Sequence, residues 1–161
     1  MPTTPTPTLT VAVLLERRRS PNRWEAWTHA LFDVMPDDGQ FGAEPHVLRD
    51  DGSTRLTLFP GLQVTLHRDE GEGYHLNLSS GAPVWFVMWR SDDEEPSRAW
   101  PERVTLSYNE AGRLLDAQER VDNVPLPAEV ADWLREYTEV HYRPEPKRRQ
   151  RPASFRAPDQ R

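Results

Sequence analysis

Cysteine is absent from this 161-residue sequence. Its absence excludes disulfides, thiolate zinc sites, iron–sulfur clusters and any cysteine nucleophile or persulfide relay. Long hydrophobic runs are absent as well. The run Val11–Leu15 is too short for a signal-peptide core, and no stretch approaches the roughly 20 apolar residues that span a bilayer. Composition therefore predicts a cytoplasmic protein that does not enter a membrane.

Motifs of the common enzyme classes are also missing. The 8 glycines are scattered through turns, so there is no glycine-rich phosphate loop, and no serine lies in a nucleophile-elbow context. Four consecutive carboxylates, Asp92–Glu95, lie in a predicted loop, where neighbouring side chains rarely hold the geometry that acid–base or Mg²⁺ chemistry needs. We therefore expect no catalytic residues, no cofactor and a function other than catalysis.

Basic charge is concentrated at the C-terminal end. The chain has 20 basic and 26 acidic residues, a net charge of −6. The segment from Arg143 onward holds 7 of the basic and 2 of the acidic residues, so it carries +5 and the remainder carries −11. The acidic body repels nucleic acid and anionic lipid at long range, whereas the tail attracts both. This polarity is more typical of an adaptor or accessory protein than of a DNA-binding domain.

Proline divides the chain into a lead, one domain and a tail. Residues 1–8 alternate proline and threonine, which predicts a disordered lead, and four prolines predict a disordered basic tail over residues 143–161. Residues 9–142 have the length of a single domain. Its N-terminal part predicts strands at 9–15 and 23–35 and then a loop over 36–52.

The clearest β pattern lies in the middle of the chain. Alternating apolar residues predict strands at 62–66 and 74–78, joined by the glycine-containing turn 69–73. If the two apolar sets share the buried face, the strands form a hairpin in which Leu66 pairs with Leu76.

The same register brings His67 opposite His75 on the outward face of the hairpin. A cross-strand histidine pair can hold a transition metal if a third ligand such as Glu72 or Asp69 joins it. The alternative is that both imidazoles are solvated among other polar side chains, and this is the expectation. His67 and His75 are thus weak metal candidates, and we predict no metal site.

The C-terminal half predicts one more buried strand and two helices. Val84–Trp89 is apolar on both faces, which indicates a central strand whose tryptophans lie in the core. Arg103–Ser107 is expected to be the last full strand. Ser107 and Glu110 form a Ser-x-x-Glu capping box, which predicts a short helix to about Glu119.

A rigid proline-spaced segment, Val121–Pro127, precedes the last helix, predicted from about Pro127 to Tyr142. Its apolar stripe at helical spacing comprises Val130, Trp133, Leu134, Tyr137 and Val140.

Candidate partner-binding residues are aromatic or basic. An exposed tryptophan beside an arginine can act as a hot spot, and the basic tail can bind phosphate backbones or an acidic protein surface. The alternatives for the tail are a solubilising segment and folding back onto the acidic body. The candidates are Trp24, Trp133, Tyr137, Lys147, Arg148, Arg149 and Arg151.

Several segments together resemble one known family. They are Tyr74–Ser79, Pro83, the helix cap Ser107–Ala111, the segment Val121–Pro127, the helix containing Trp133, and Lys147-Arg148-Arg149. From Thr10 to about Arg151 the chain is similar to an uncharacterised family of small bacterial proteins whose genes commonly lie beside formate dehydrogenase genes. The family has Ser-Pro-Tyr-Glu-Ala at the cap, where this chain has Ser107-Tyr108-Asn109-Glu110-Ala111.

The resemblance implies an accessory, assembly or regulatory role for a molybdenum- or tungsten-containing formate dehydrogenase, and it supplies no site residues. We therefore predict an α+β fold: an antiparallel meander of six or seven strands, curled like a half-barrel, with two C-terminal helices. The predicted function is non-catalytic binding of a formate dehydrogenase subunit or maturation factor. A nucleic-acid or ribonucleoprotein binder using the basic tail is the alternative, and a small metalloenzyme centred on His67 and His75 is a third hypothesis.

Overall fold

The structure is a computed structural model that describes residues 7–21 and 26–143. Within these ranges seven antiparallel strands form two sheets, accompanied by three α-helices and a 3₁₀ turn at Arg68–Glu70. The strands are β1 (Thr8–Arg19), β2 (Trp27–Pro36), β3 (His46–Asp50), β4 (Thr54–Thr65), β5 (Val84–Ser91), β6 (Ala99–Thr105) and β7 (Arg120–Pro125). The helices are α1 (Gly71–Ser79), α2 (Tyr108–Asp116) and α3 (Ala128–His141). Most of the predicted lead and tail lies outside the described residues.

The strands divide into a four-stranded sheet of order β2-β1-β4-β3 and a three-stranded sheet of order β6-β5-β7. The prediction of an α+β fold with six or seven antiparallel strands is therefore confirmed. The prediction of one half-barrel-like meander is wrong. The connection from β4 to β5 is helical. In the described part of the chain no strand pairing joins the two sheets.

Strand β1 is one of the two internal strands of the four-stranded sheet, and its middle part is buried on both faces. Val11, Val13 and Leu15 enter the main core between the sheets, whereas Ala12 and Leu14 enter a smaller cluster on the opposite face. The smaller cluster also contains Leu56 and Leu58 of β4, with Met35 and Phe41 packed against it. The segment predicted as a loop over 36–52 thus covers a second core, and it contains the edge strand β3.

Strand β4 is continuous through Pro60 and Gly61, although this pair interrupts the apolar alternation. The register with β1 shifts between Val11 and Val13, opposite this point, and Gly61 has a φ of +79° that glycine adopts without strain. The Asp37 carboxylate accepts a hydrogen bond from the Gly61 N–H at 2.9 Å. This contact ties the loop after β2 to the irregular point of β4.

Strand β5 lies between β6 and β7, which confirms the predicted central strand. Trp85, Val87 and Trp89 alternate into the main core. The segment predicted as a rigid lead-in to the last helix contains β7, so Arg103–Ser107 is not part of the last strand. Asp122 of β7 accepts hydrogen bonds at 3.1 Å from the Leu31 N–H of the other sheet and from the Trp89 indole N–H.

The predicted hairpin of 62–66 with 74–78 is wrong, because residues 71–79 form helix α1. The alternation of Tyr74, Leu76 and Leu78 suggested a strand, but their burial follows a helix: Tyr74 and Asn77 are buried, whereas Leu76 is 40% exposed. Residues three apart lie on one face of a helix, which accounts for this pattern. The predicted pairing of Leu66 with Leu76 does not occur.

Helix α3 confirms the predicted last helix to within one residue at each end. Val130 and Leu134 of the predicted stripe are buried, Trp133 and Tyr137 are half-buried at the edge of the main core, and Val140 is 67% exposed. No helix in the described ranges is both long and apolar enough to cross a membrane.

Candidate functional site

Helix α1 is anchored by Asn77, which is 2% exposed. The side-chain amide donates hydrogen bonds to the carbonyl oxygens of Val84 (2.9 Å) and Leu106 (3.0 Å), and its oxygen accepts one from the Val84 N–H (3.0 Å). These three bonds join the C-terminal part of α1 to the start of β5 and to the residue after β6. The helix is therefore held at a defined position beside the three-stranded sheet.

The N-terminal part of α1 meets the start of α2 at Ser107, which is fully buried. The Ser107 hydroxyl accepts a hydrogen bond from the Glu110 N–H (3.0 Å) and donates one to the Glu70 carboxylate (2.6 Å). The other oxygen of Glu70 accepts from Arg113 (2.5 Å). Gly73 lies directly against Ser107, because a β-carbon there would be 2.0 Å from the serine oxygen.

The capping box at α2 is confirmed in its first half, since the Ser107 side chain caps the helix. The second half differs from the prediction. The Glu110 carboxylate accepts from Thr105 and Arg103, and the Ser107 N–H donates to the Thr105 hydroxyl at 3.1 Å. Thr105 therefore takes the acceptor role that a capping box gives to the glutamate.

An aromatic surface forms where α3 crosses α1. The Tyr137 ring contacts Tyr74 edge-on (centroids 6.0 Å apart) and His141 (4.4 Å), and His75 of α1 contacts Tyr142 (5.3 Å). Tyr74 itself is buried beneath this area. We call the other four rings, together with Trp133 and Val140, the α1/α3 surface. Aromatic side chains with partly accessible rings are enriched in protein interfaces.

Burial affects the two phenols that are in contact, those of Tyr74 and Tyr137. Tyr74 is 1% exposed, its oxygen accepts a hydrogen bond from the His67 N–H (2.8 Å), and burial raises its pKa well above the ordinary value. Burial also raises the pKa of Tyr137. Both phenols are therefore protonated at neutral pH and contribute packing and hydrogen bonding.

A groove of about 380 Å³ lies beside the rings, and its lining is mixed in polarity. Leu78 and Tyr142 supply apolar walls, and Arg135 and Glu139 supply charges. The groove lies at the C-terminal end of α3, where the chain continues into the basic segment that begins at Arg143. A partner that occupies this groove would therefore also lie near Arg143, where the basic segment begins.

The structure places the other predicted site residues as follows. Trp133 and Tyr137 belong to the α1/α3 surface. Trp24, Lys147, Arg148, Arg149 and Arg151 lie outside the described residues. His67 precedes the 3₁₀ turn, and His75 lies on α1, so the cross-strand pair on which the metal hypothesis rested does not form. Among the described residues no group of three or more His, Cys, Asp or Glu side chains is arranged to hold a metal ion.

Sequence reasoning missed His75, His141 and Tyr142 as members of the surface. Tyr137 and His141 are four residues apart on the predicted helix, so helical spacing alone was enough to pair them. The contact of His75 with Tyr142 required knowledge that residues 71–79 are helical. Gly71 allows this contact, because a β-carbon there would lie 2.8 Å from the β-carbon of Tyr142.

Comparison with known proteins gives one match. The model of the family described as "Protein of unknown function (DUF3305)" matches residues 10–151, the range over which the sequence resembles an uncharacterised family. No curated protein and no solved structure matches the chain. The family description states no function, so the association with formate dehydrogenase stays a prediction.

Proposed function

We propose that this protein, which belongs to the DUF3305 family, is a non-catalytic accessory protein that acts by binding another protein. The α1/α3 surface is the observation that carries the proposal. Trp133, Tyr137 and Val140 lie on one face of α3. The first two are half-buried at the edge of the main core, and Val140, near the end of the helix, is 67% exposed. A half-buried aromatic pair beside an exposed aliphatic side chain is typical of the anchor region of an interface.

The charges of α3 and of the segment after it indicate which charges the partner surface carries. The exposed positions of α3 are mainly acidic, with Glu129, Asp132, Glu136 and Glu139, and its one arginine, Arg135, is paired with Asp132 at 2.8 Å. The segment that follows α3 is basic. A partner that contacts both would present a basic area to the helix and an acidic area to the tail, a combination that favours a folded protein over nucleic acid.

We further propose that the partner is a formate dehydrogenase subunit or one of its maturation factors, as the resemblance implies. The chain has no cysteine, so it cannot transfer sulfur through a persulfide of its own. Its action in such a system would be to hold, protect or position another protein.

Native co-purification tests the proposal. Full-length protein and a version ending at Tyr142 are isolated from source cells grown with formate, and bound proteins are identified by mass spectrometry. We expect formate dehydrogenase subunits or maturation factors with the full-length protein and a weaker recovery with the truncated one. Recovery of only nucleic acid and ribosomal proteins would contradict the proposal and favour the nucleic-acid-binding alternative.

Val140→Asp is expected to weaken partner recovery by about tenfold or more, because an unpaired carboxylate buried in an interface costs about 1–3 kcal/mol. Folding stability should change little, since Val140 is mainly exposed. Quantitative pull-down with thermal unfolding of each variant measures both effects.

Leu115→Asp is the matched control for this variant. Leu115 is 53% exposed, and both residues are second to last in their helices, so the new carboxylates interact alike with the helix dipoles. Equal loss of partner with both variants would show that the α1/α3 surface is not the contact.

A further inference from the structure

Two arginines and a histidine lie in one row across the four-stranded sheet. On β1, Arg17 follows Val11, Val13 and Leu15 on the face that points between the sheets. It is paired with His29 of β2 on one side and with Arg55 of β4 on the other. Like charges directly opposite each other in a sheet are destabilising, so this row is unfavourable for folding unless an anion compensates it.

Asp50 forms an ion pair with Arg55 and acts on Arg17 only at a longer distance, where its charge raises the pKa of Arg17. The Asp50 carboxylate is 2.9 Å from Arg55, and the Gly52 N–H and then Arg55 lower the pKa of Asp50. Among the described residues no carboxylate lies within salt-bridge distance of Arg17. Burial, followed by the proximity of Arg55, lowers the pKa of Arg17, although a guanidinium stays charged at neutral pH.

The Arg17 side chain is held in place and has hydrogen-bonding capacity left. One terminal nitrogen donates to the Ser97 carbonyl at 3.1 Å, and the guanidinium lies 4.1 Å from the centroid of the Trp27 ring. Its Nε is buried and has no hydrogen-bond partner among the residues that the structure describes. An unpaired buried N–H on a charged group is costly, and a bound anion can satisfy it.

A cleft of about 450 Å³ opens beside the row. It lies where the inner face of the four-stranded sheet meets the loop before β6 and the first residues of that strand. Thr57 and Phe59 of β4 line one side, and Arg98 and Trp100 line the other. Its volume is in the range of small-molecule sites, which commonly combine apolar walls with a few convergent polar groups.

Three arginines line the cleft, together with His29, His46, Glu16 and Glu95. Arg55 is paired with Asp50 and Arg98 with Asp92 at 3.7 Å, so Arg17 is the arginine of the cleft for which the described residues supply no ion-pair partner. Glu16 is already paired with Arg18 at 2.7 Å. Guanidinium groups bind phosphate and carboxylate oxygens through two parallel hydrogen bonds, which gives such a site both charge and directional selectivity.

We propose that this cleft binds a small organic anion, whose phosphate or carboxylate group is held by Arg17 and Arg55, with Arg98 closing over it and Phe59 and Trp100 contacting its apolar part. The inference is independent of the proposed protein-binding function, because it uses none of the residues of the α1/α3 surface.

Isothermal titration calorimetry of the full-length protein with sodium pyrophosphate, and separately with citrate, at constant ionic strength tests the site. At least one anion should bind, and the tighter one identifies the preferred head group. Arg17→Gln and Arg98→Gln are each expected to raise its Kd by about tenfold to a hundredfold, since each removes a hydrogen bond between charged groups. Arg98 is mainly exposed, so its variant stays informative even if Arg17→Gln impairs folding.

Two full-length controls separate the cleft from general cation effects. Arg135→Gln removes the same charge from an exposed position of α3, which does not line the cleft, and should leave the Kd within about twofold. A variant with Lys147, Arg148, Arg149 and Arg151 all replaced by glutamine should also bind normally. Loss of binding in the tail variant, equal weakening by Arg135→Gln, or no binding of either anion would overturn the proposal. Binding of polyglutamate alone would overturn it too, by assigning the cleft to a protein segment.

Discussion

Gly73→Ala is expected to destabilise the protein by about 2–4 kcal/mol. The new methyl group would lie 2.0 Å from the Ser107 oxygen, 3.0 Å from its β-carbon and 3.1 Å from the Asn109 backbone nitrogen. Relief requires the serine to rotate away, which breaks its bonds to the Glu110 N–H and to Glu70. The expected magnitude combines overpacking of about 1–3 kcal/mol with loss of a helix cap worth about 1 kcal/mol. Urea unfolding followed by tryptophan fluorescence measures the difference.

Gly112→Ala is the matched control, because Gly112 is also a helical glycine but a β-carbon there meets no atom of the described residues within 4 Å. Alanine should stabilise this helix by about 0.5–1 kcal/mol. Opposite signs for the two substitutions would confirm that α1 and α2 touch at Gly73. A neutral or stabilising Gly73→Ala would contradict the packing of α1 against Ser107.

Asn77→Leu should destabilise by about 3 kcal/mol or more, although leucine has a similar volume. The substitution removes three hydrogen bonds at once and leaves the Val84 N–H and the carbonyls of Val84 and Leu106 without the side chain that satisfies them. An unsatisfied buried polar group costs about 1–3 kcal/mol. Thermal and urea unfolding should show the loss in the whole cooperative transition, because α1 is anchored to both β5 and the end of β6.

Ser79→Ala provides the comparison on the same helix. The Ser79 hydroxyl donates only to backbone carbonyls of its own helix and is exposed, so its removal should change stability by less than about 0.5 kcal/mol. A small effect of Asn77→Leu, similar to that of Ser79→Ala, would show that the three bonds of Asn77 do not hold α1 in place.

The local sequence was sufficient to predict the elements that are marked by a few neighbouring residues. Val84–Trp89 is apolar on both faces and forms the central strand, and the proline before α3 marks the start of that helix. The Ser107 cap was also predicted, because capping depends on residues three apart in sequence. In each case the information lies within a few neighbouring residues.

The prediction for residues 71–79 was wrong because the conformation of this segment depends on contacts with residues distant in sequence. Its alternating apolar residues favour a strand, and glycines at 71 and 73 are poor helix formers. The bonds of Asn77 to Val84 and Leu106, and the contact of Gly73 with Ser107, favour the helix instead. Tertiary contacts of this kind override local propensity and cannot be read from periodicity.

The two proposed sites differ in how many of their residues were predicted from the sequence. Trp133 and Tyr137 of the α1/α3 surface were predicted from helical spacing alone. The row formed by His29, Arg17 and Arg55 was not predicted from the sequence. These residues become neighbours only through the registers of β1 with β2 and with β4, and both registers contain an irregularity. The metal hypothesis shows the reverse case, in which an assumed register brought His67 and His75 together wrongly.

The burial of β1 on both faces has a consequence for synthesis on the ribosome. β1 is made before both of its neighbours; β2 can cover only one of its edges, whereas β4, at the other edge, is complete only at Thr65. At roughly 5–20 residues per second, the apolar segment Val11–Leu15 stays incompletely covered for seconds while the chain grows. Nascent chains of this protein therefore pass through an aggregation-prone interval, during which chaperone binding to the N-terminal segment would be most useful.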